Sequence, residues 1–281
     1  MVCGALIGQS AAHLRLLAML EKVSPIDAEV LISGPTGVGK ELYARHIHQN
    51  GPRHAARFVA VNCGAFPTEL FENELFGHIG GAFTGARPRS EGLIAEAEKG
   101  TLFLDEVDSL SWPCQIKLLR FIQEKEYRRL GETTLRHANI RIVAATNANL
   151  FEATQSGRFR EDLFFRLRVV PVEVPPLNQR PEDIPLLLEA FIAHYSSVYR
   201  LPKLHLSDEA FSCLLAYQWP GNVRELENCV KCLTCLQLSS PLRAKDLPLL
   251  ENRNAFQTAQ APETAIADRP LRDVKRDLVN N

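Results

Sequence analysis

The sequence predicts an α/β fold, a parallel sheet covered by helices on both faces, followed by a small all-helical domain. Three observations carry this. Five short runs, at 30–34, 57–62, 101–105, 140–147 and 169–174, are apolar with little alternation, which marks strands buried on both faces. Helical periodicities lie between several of them, as a sheet built from strand–helix–strand units requires. Beyond residue 176 the strand-like runs cease and only helical patterns continue.

Taken in order, Ser10 can cap a first amphipathic helix reaching about Glu21, with Leu14, Leu17 and Leu20 on one side. The segments ELYARHIHQ, PTELFENELF and QIKLLRFIQEK read as helices between the strands. After PPLNQRPEDI (175–184), three helices are expected in PEDIPLLLEAFIAHYSSVY, SDEAFSCLLAYQ and NVRELENCVKCLTCL, with caps at Pro181, Ser207 and Asn222. The expected division is therefore 1–175 for the sheet domain and 176–250 for the helical one. A polar linker is expected over 251–281, where RDVKRDLVNN could open another helix.

The 281 residues suit two domains at roughly 150 residues each. A hydrophobic fraction of 46% with 23% charged residues is ordinary for a chain that buries a core. The 32 basic and 33 acidic residues leave a net charge of -1, which excludes a globally basic nucleic-acid binder but not a local basic patch. No run approaches the ~18 consecutive apolar residues of a membrane span. The N-terminal apolar run lacks a basic start and is broken by Gln9, His13 and Arg15, a poor signal peptide. Seven irregularly spaced cysteines fit a reducing compartment. The expectation is a soluble, cytoplasmic protein.

The strongest chemical signal is GPTGVGKE at 34–41, directly after a strand and opening a helix. Gly34, Gly37 and Gly39, with Pro35, Thr36 and Val38 between them, permit a tight loop whose amides face phosphate. Lys40 adds a cation for the β/γ phosphates, and the helix start adds its dipole. Glu41 stands where such loops usually place the Ser or Thr that binds magnesium; alone, the string also fits a plain glycine turn. TLFLDE at 101–106 supplies the complement: Asp105 can hold magnesium and Glu106 can polarise an attacking water. Together these specify an ATPase core using ATP and Mg2+. Asn147, ending IRIVAATN, sits at a strand tip where it can meet the γ-phosphate or water.

These residues resemble the AAA+ ATPase domain (a P-loop NTPase) of bacterial enhancer-binding proteins, the sigma-54-dependent transcriptional activators. The resemblance covers about residues 6–250 and rests most specifically on GAFTGA at 81–86. VNC at 61–63, ELFGH at 74–78, FREDLFFRL at 159–167 and WPGNVREL at 219–226 add to it, as does the Glu after the loop lysine. It implies that Lys40 is similar to the Walker A lysine, and Asp105 and Glu106 to the Walker B pair. It implies that Asn62 restrains the catalytic glutamate, that Asn147 is a first sensor and that Arg224 is a second sensor in a helical lid. Arg160 and Arg166 look like arginine fingers reaching a neighbour's ATP, although by spacing alone they equally fit surface ion-pair partners. Gly81, Ala82, Phe83, Thr84, Gly85 and Ala86 resemble the loop that contacts sigma-54.

The function so implied is ATP hydrolysis in a ring, by resemblance a hexamer of this chain. That ring would remodel the sigma-54 RNA polymerase holoenzyme so that promoter DNA opens. Promoter or enhancer DNA is expected to be engaged indirectly or through a further domain, since the residues after 251 are too few and too polar for a helix-turn-helix with its supporting helices. One rival is a DNA-tethered regulator that uses ATP only for assembly; another is a protein unfoldase, against which GAFTGA speaks. Two departures from the family pattern stand out, Ile79-Gly80 before the loop and Asn178 in PPLNQRPED.

Other signals have plainer readings. Cys229, Cys232 and Cys235 spread around a helix and read as small apolar residues of a bundle. His46 and His48 fall on different helix faces, and His78 reads as a turn residue. Arg128 and Arg129, with acids close by, read as a solvated edge.

Overall fold

The structure, a computed structural model, describes residues 4–65, 67–80, 90–236 and 241–247. Its centre is a five-stranded sheet made of β1 (Val30–Ser33), β2 (Phe58–Asn62), β3 (Thr101–Asp105), β6 (Arg141–Thr146) and β7 (Val170–Glu173). All neighbours are parallel, in the order β2-β3-β6-β1-β7. A two-stranded antiparallel hairpin of β4 (Glu126–Tyr127) and β5 (Arg136–His137) stands apart.

The predicted two-sided burial holds for the three central strands β3, β6 and β1, whereas the edge strands β2 and β7 are covered at alternate positions, with Ala60, Pro171 and Glu173 exposed. Leu31, Leu102, Leu104, Ile142 and Ala144 join one apolar core, while Val30, Ile32, Phe103, Val143 and Ala145 join another. That alternation is the period-2 geometry of a strand packed on both faces. The first core is closed by α3 (Thr68–Phe76), α4 (Leu93–Glu96), α5 (Trp112–Glu124), α6 (Leu150–Gln155) and α7 (Glu161–Leu167). The second is closed by α1 (Ala11–Val23) and α2 (Lys40–Gln49).

After β7 the described chain is helical, with α8 (Ile184–Tyr199), α9 (Asp208–Ala216) and α10 (Asn222–Leu236) around a separate core. Trp219 is its largest side chain, 1% exposed, and its indole N–H donates to the Leu214 carbonyl at 3.0 Å.

Several local expectations need correction. α1 is capped by Ser10 as predicted, its side chain accepting from the His13 amide at 3.2 Å. Its buried face, however, is His13, Leu16, Leu20 and Val23, and Leu14 is 52% exposed. An unbroken i+3 series drifts around a 3.6-residue helix, whereas mixed steps of three and four keep one face. Ser207 caps α9, accepting from the Ala210 amide at 3.2 Å. Pro181 opens a short 3-10 turn, Pro181–Asp183, before α8. Asn222 caps nothing with its side chain, which instead crosses to other segments as described below.

Arg129 is not a solvated edge: it is 2% exposed and ion-paired with Glu91. The nearby acid Glu132 pairs with Arg136 instead. Of the three helix cysteines, Cys229 lies in the lid core as expected, but Cys232 and Cys235 are exposed. No described helix is long and apolar enough to cross a membrane.

Candidate functional site

β1 delivers the chain into the loop at 34–39, and α2 begins directly after it at Lys40. Gly39, the residue before α2, has φ +98°, a left-handed conformation that glycine adopts without a side-chain clash. Gly37, at φ +82°, is needed for a second reason: a Cβ there would fall 2.2 Å from the Gly221 carbonyl oxygen. The loop is thus pressed against the helical domain. Lys40 folds back over it, its ammonium donating to the carbonyls of Gly34 at 2.8 Å and Pro35 at 3.2 Å.

β3 ends opposite that ammonium. Burial pushes the Asp105 carboxyl above the usual range, and the charge of Lys40 opposes this. Burial likewise lowers Lys40, against the pull of Asp105, Asp108 and Glu106. A desolvated cation and carboxylate facing one cleft fit a site completed by an anionic phosphate and a hard divalent metal. Asp105 could offer an oxygen ligand to such a metal, whereas the Glu41 carboxylate is engaged by Arg45 at 2.7 Å. Glu106 holds φ +55°, uncommon for a non-glycine residue and frequent at functional turns.

Asn62 pairs in register with Asp105 at the same sheet end. Its side-chain oxygen accepts from the Gly64 amide at 2.8 Å. A Cβ on Gly64 would lie 2.8 Å from Glu106 Oε2 and 3.3 Å from Asn62 Oδ1, so both side chains flank that glycine. No hydrogen bond joins Asn62 to Glu106 among the described residues. Asn147, directly after the neighbouring strand β6, donates from Nδ2 to Thr36 Oγ1 at 3.1 Å. The strand-end residue and the loop are therefore already in touch.

The helical domain closes the other side. The Asn222 amide donates to the Thr36 carbonyl at 3.0 Å, and its Oδ1 accepts from the Leu177 amide at 2.8 Å. The Arg224 amide donates to the Gly37 carbonyl at 3.1 Å, and its guanidinium charge is felt by Lys40. Beside Val38 and Gly39 runs an apolar cleft whose walls include Leu6, Ile7, Val38, Leu42, Phe191 and Val223. It adjoins the phosphate-facing loop and draws its lining from both domains.

Arg160 and Arg166 lie on the far side of the sheet, before and within α7. Arg160 is paired with Asp162 at 2.7 Å, with its guanidinium 5.3 Å from the Trp112 ring centre. Arg166 is exposed and makes no hydrogen bond or ion pair among the described residues. Neither belongs to the cluster around Lys40. The loop at 81–86, with Gly81, Ala82, Phe83, Thr84, Gly85 and Ala86, lies outside the described residues; its stem shows Ile79 donating its amide to the Leu130 carbonyl at 3.2 Å.

The sigma-54 interaction domain family matches residues 6–173, and the AAA+ ATPase lid domain family matches residues 178–264. The chain belongs to the sigma-54 interaction domain family. It is 48% identical over 255 residues to the sigma54-dependent transcriptional activator SfnR of Pseudomonas putida, covering 90% of this chain and 69% of that one. It is 41% identical over 274 residues to the transcriptional regulatory protein ZraR of Escherichia coli, covering 98% and 61%. NtrX from Brucella abortus in complex with ATP superposes with a TM-score of 0.81 at 37% identity, covering 92% of this chain and 61% of that one. The chain thus spans well under the full length of these relatives, and only 41% of the phenol regulator MopR of Acinetobacter guillouiae.

Within this AAA+ domain, three parts of the site escaped sequence reading. Asn222 gave the signal of a helix cap. The cleft residues come from segments far apart in the chain, so no local motif marks them. Asp183, 0% exposed, accepts from the amides of Gln9 and Ser10, both at 2.7 Å, and ties the N-terminal segment beneath the cleft. A buried acid next to Arg180 in RPED was the one available hint.

Proposed function

We propose that this chain is the ATP-hydrolysing AAA+ module of a sigma-54-dependent activator, acting as a ring in the cytoplasm on the RNA polymerase holoenzyme. The observation that carries it is the convergence of Lys40, Asp105, Asn147 and the lid residue Arg224 on one glycine loop. Lys40, desolvated beside that loop, leaves its two carbonyl partners for the phosphates. Glu106 orients and deprotonates the attacking water, and Asn62 at the same sheet end restrains it. Asn147 senses the γ-phosphate through its place against Thr36. Asp105 would hold magnesium, which would supply charge neutralisation for phosphoryl transfer.

Arg160 and Arg166, remote from Lys40 on their own chain, fit a role at a neighbour's site. That makes turnover depend on assembly, as a hexamer in this reading. The output is the loop at 81–86, which holds no acid, base or cation and so has no part in the chemistry. Phe83 and Thr84 in it offer an apolar anchor and a hydrogen-bonding group to sigma-54.

The test is co-migration with sigma-54 in a transition-state nucleotide complex. Phe83→Ala and Thr84→Ala are expected to keep most ATP turnover and the native melting temperature while losing sigma-54. A melting loss of the size of a core Phe truncation, about 3–5 kcal/mol, with sigma-54 binding retained per folded molecule, contradicts the loop assignment. ATP binding that assembles rings without any turnover would favour a regulator using ATP only for assembly.

A further inference from the structure

His13 is 1% exposed, and its Nε2 is buried with no hydrogen-bond partner among the described residues. The ring lines the apolar cleft beside Val38 and Gly39. The neighbours on its other side fix its proton. Arg180 donates from Nη1 to the Tyr43 hydroxyl at 3.3 Å, so that oxygen already accepts. Tyr43 Oη lies 3.2 Å from His13 Nδ1. If Nδ1 donates, the hydroxyl proton has no acceptor among the described residues; if the hydroxyl donates to Nδ1 instead, its proton and the Nδ1 lone pair satisfy each other. The imidazole proton then sits on Nε2.

Burial holds His13 below its ordinary range, which favours this neutral tautomer. The Asp183 charge opposes that effect of burial, but no hydrogen bond joins it to His13 among the described residues; its oxygens accept from the Gln9 and Ser10 amides and the Ser10 hydroxyl. The ring cannot turn aside either. Gly8 packs against it so closely that a Cβ there would fall 2.7 Å from His13 Cδ2. A rigid, buried N–H without an acceptor, on the wall of a cleft, is a costly arrangement unless a ligand completes it.

We propose that His13 Nε2–H donates a hydrogen bond to a ring nitrogen of a purine base seated in this cleft, making His13 a base-reading residue. This rests on the proposed nucleotide site and adds to it a specific donor. With phosphates on the loop and the Lys40 ammonium, the base is carried past Gly39 and Val38 to the cleft. Its faces meet Leu6, Ile7 and Phe191, and its edge meets the His13 Nε2–H.

The experiment measures equilibrium binding of ATP and of its 1-deaza, 3-deaza and 7-deaza analogues to the native chain and to His13→Met. Methionine fills the site with an adaptable, donor-free side chain; His13→Gln, which keeps a donor, guards against loss of folding, and melting is recorded for all. The native chain is expected to bind one deaza analogue about 3–10-fold more weakly than ATP, the worth of one neutral hydrogen bond. His13→Met is expected to lose a similar factor for ATP and to bind that analogue no worse than ATP. Should His13→Met not fold, the same cycle is read on His13→Gln, where a changed analogue preference supports the proposal and an unchanged one overturns it. Equal affinities for all four nucleotides in the native chain, or the same penalty in native and variant, overturn the proposal while leaving the nucleotide site intact. A native chain that binds no ATP at all overturns the site reading as well.

Discussion

Asn222 of the lid and Thr36 of the nucleotide loop are joined directly, amide to carbonyl, at 3.0 Å. The same side chain accepts from the buried Leu177 amide at 2.8 Å, so one residue fastens the domain junction to the loop. It does so from φ +55°, a left-handed conformation that Asn tolerates better than most side chains. Asn222→Gly keeps the backbone geometry but strands a buried N–H, an expected loss of about 1–3 kcal/mol. Asn222→Ala adds backbone strain of roughly 1 kcal/mol or more. Denaturant unfolding of both variants checks the order, Ala below Gly below native; equal stability of Gly and native removes the junction role.

Gly37 makes the complementary test from the loop side. A methyl group there meets the Gly221 carbonyl at 2.2 Å and sits on a backbone at φ +82°. Gly37→Ala is expected to push the lid off the loop, weakening nucleotide binding at least tenfold while the separate sheet core still melts cooperatively. Binding within twofold of native would mean that the two domains need not touch as described.

The arginines outside the site carry the assembly claim. Arg160→Ala and Arg166→Ala are expected to bind ATP yet turn it over about 10³–10⁵-fold more slowly, the usual cost of a missing finger. Mixing Arg166→Ala with Lys40→Ala subunits is expected to restore part of the turnover, because each chain supplies the half-site that the other lacks. No recovery at any ratio, with both variants still assembling, removes the role in trans.

The sheet was legible because strand burial on two faces leaves runs that no helix or surface strand imitates, as in Leu102–Phe103–Leu104. The loop and the Asp105–Glu106 pair were legible because their chemistry is local in sequence. What was not legible depends on partners far along the chain. Arg129 looks solvated beside nearby acids until Glu91 arrives to pair with it. The stripe on α1 was misplaced because Leu14 and Leu16 are equally apolar, and only the position of α2 decides which one is covered. Asn222 and His13 are ordinary residues in the text; their roles exist only where the lid and the first helix meet the loop.

Stability is expected to fall in mild acid. Burial depresses the imidazoles of His13, His46 and His48 below the ordinary value of 6.5. Between that value and the lower folded ones, the unfolded chain binds more protons, so stability rises with pH there and is fully present above it. Denaturant midpoints should drop from pH 7.5 to 5.5, and His48→Gln should flatten the slope, at some cost in the 2.9 Å contact to Thr101. A midpoint that rises on acidification contradicts the burial of these rings.

The most direct test of the whole account measures ATP bound at equilibrium, and phosphate released, by the same samples of the native chain, Lys40→Ala and Glu106→Ala. The two side chains are close enough for the charge of Glu106 to act on Lys40, and they have different work, charge for the phosphates and a base for water. The account predicts that Lys40→Ala loses binding and turnover together. Glu106→Ala should bind ATP like the native chain and release no phosphate. Equal loss of binding in both variants, or phosphate release persisting in Glu106→Ala, would contradict it.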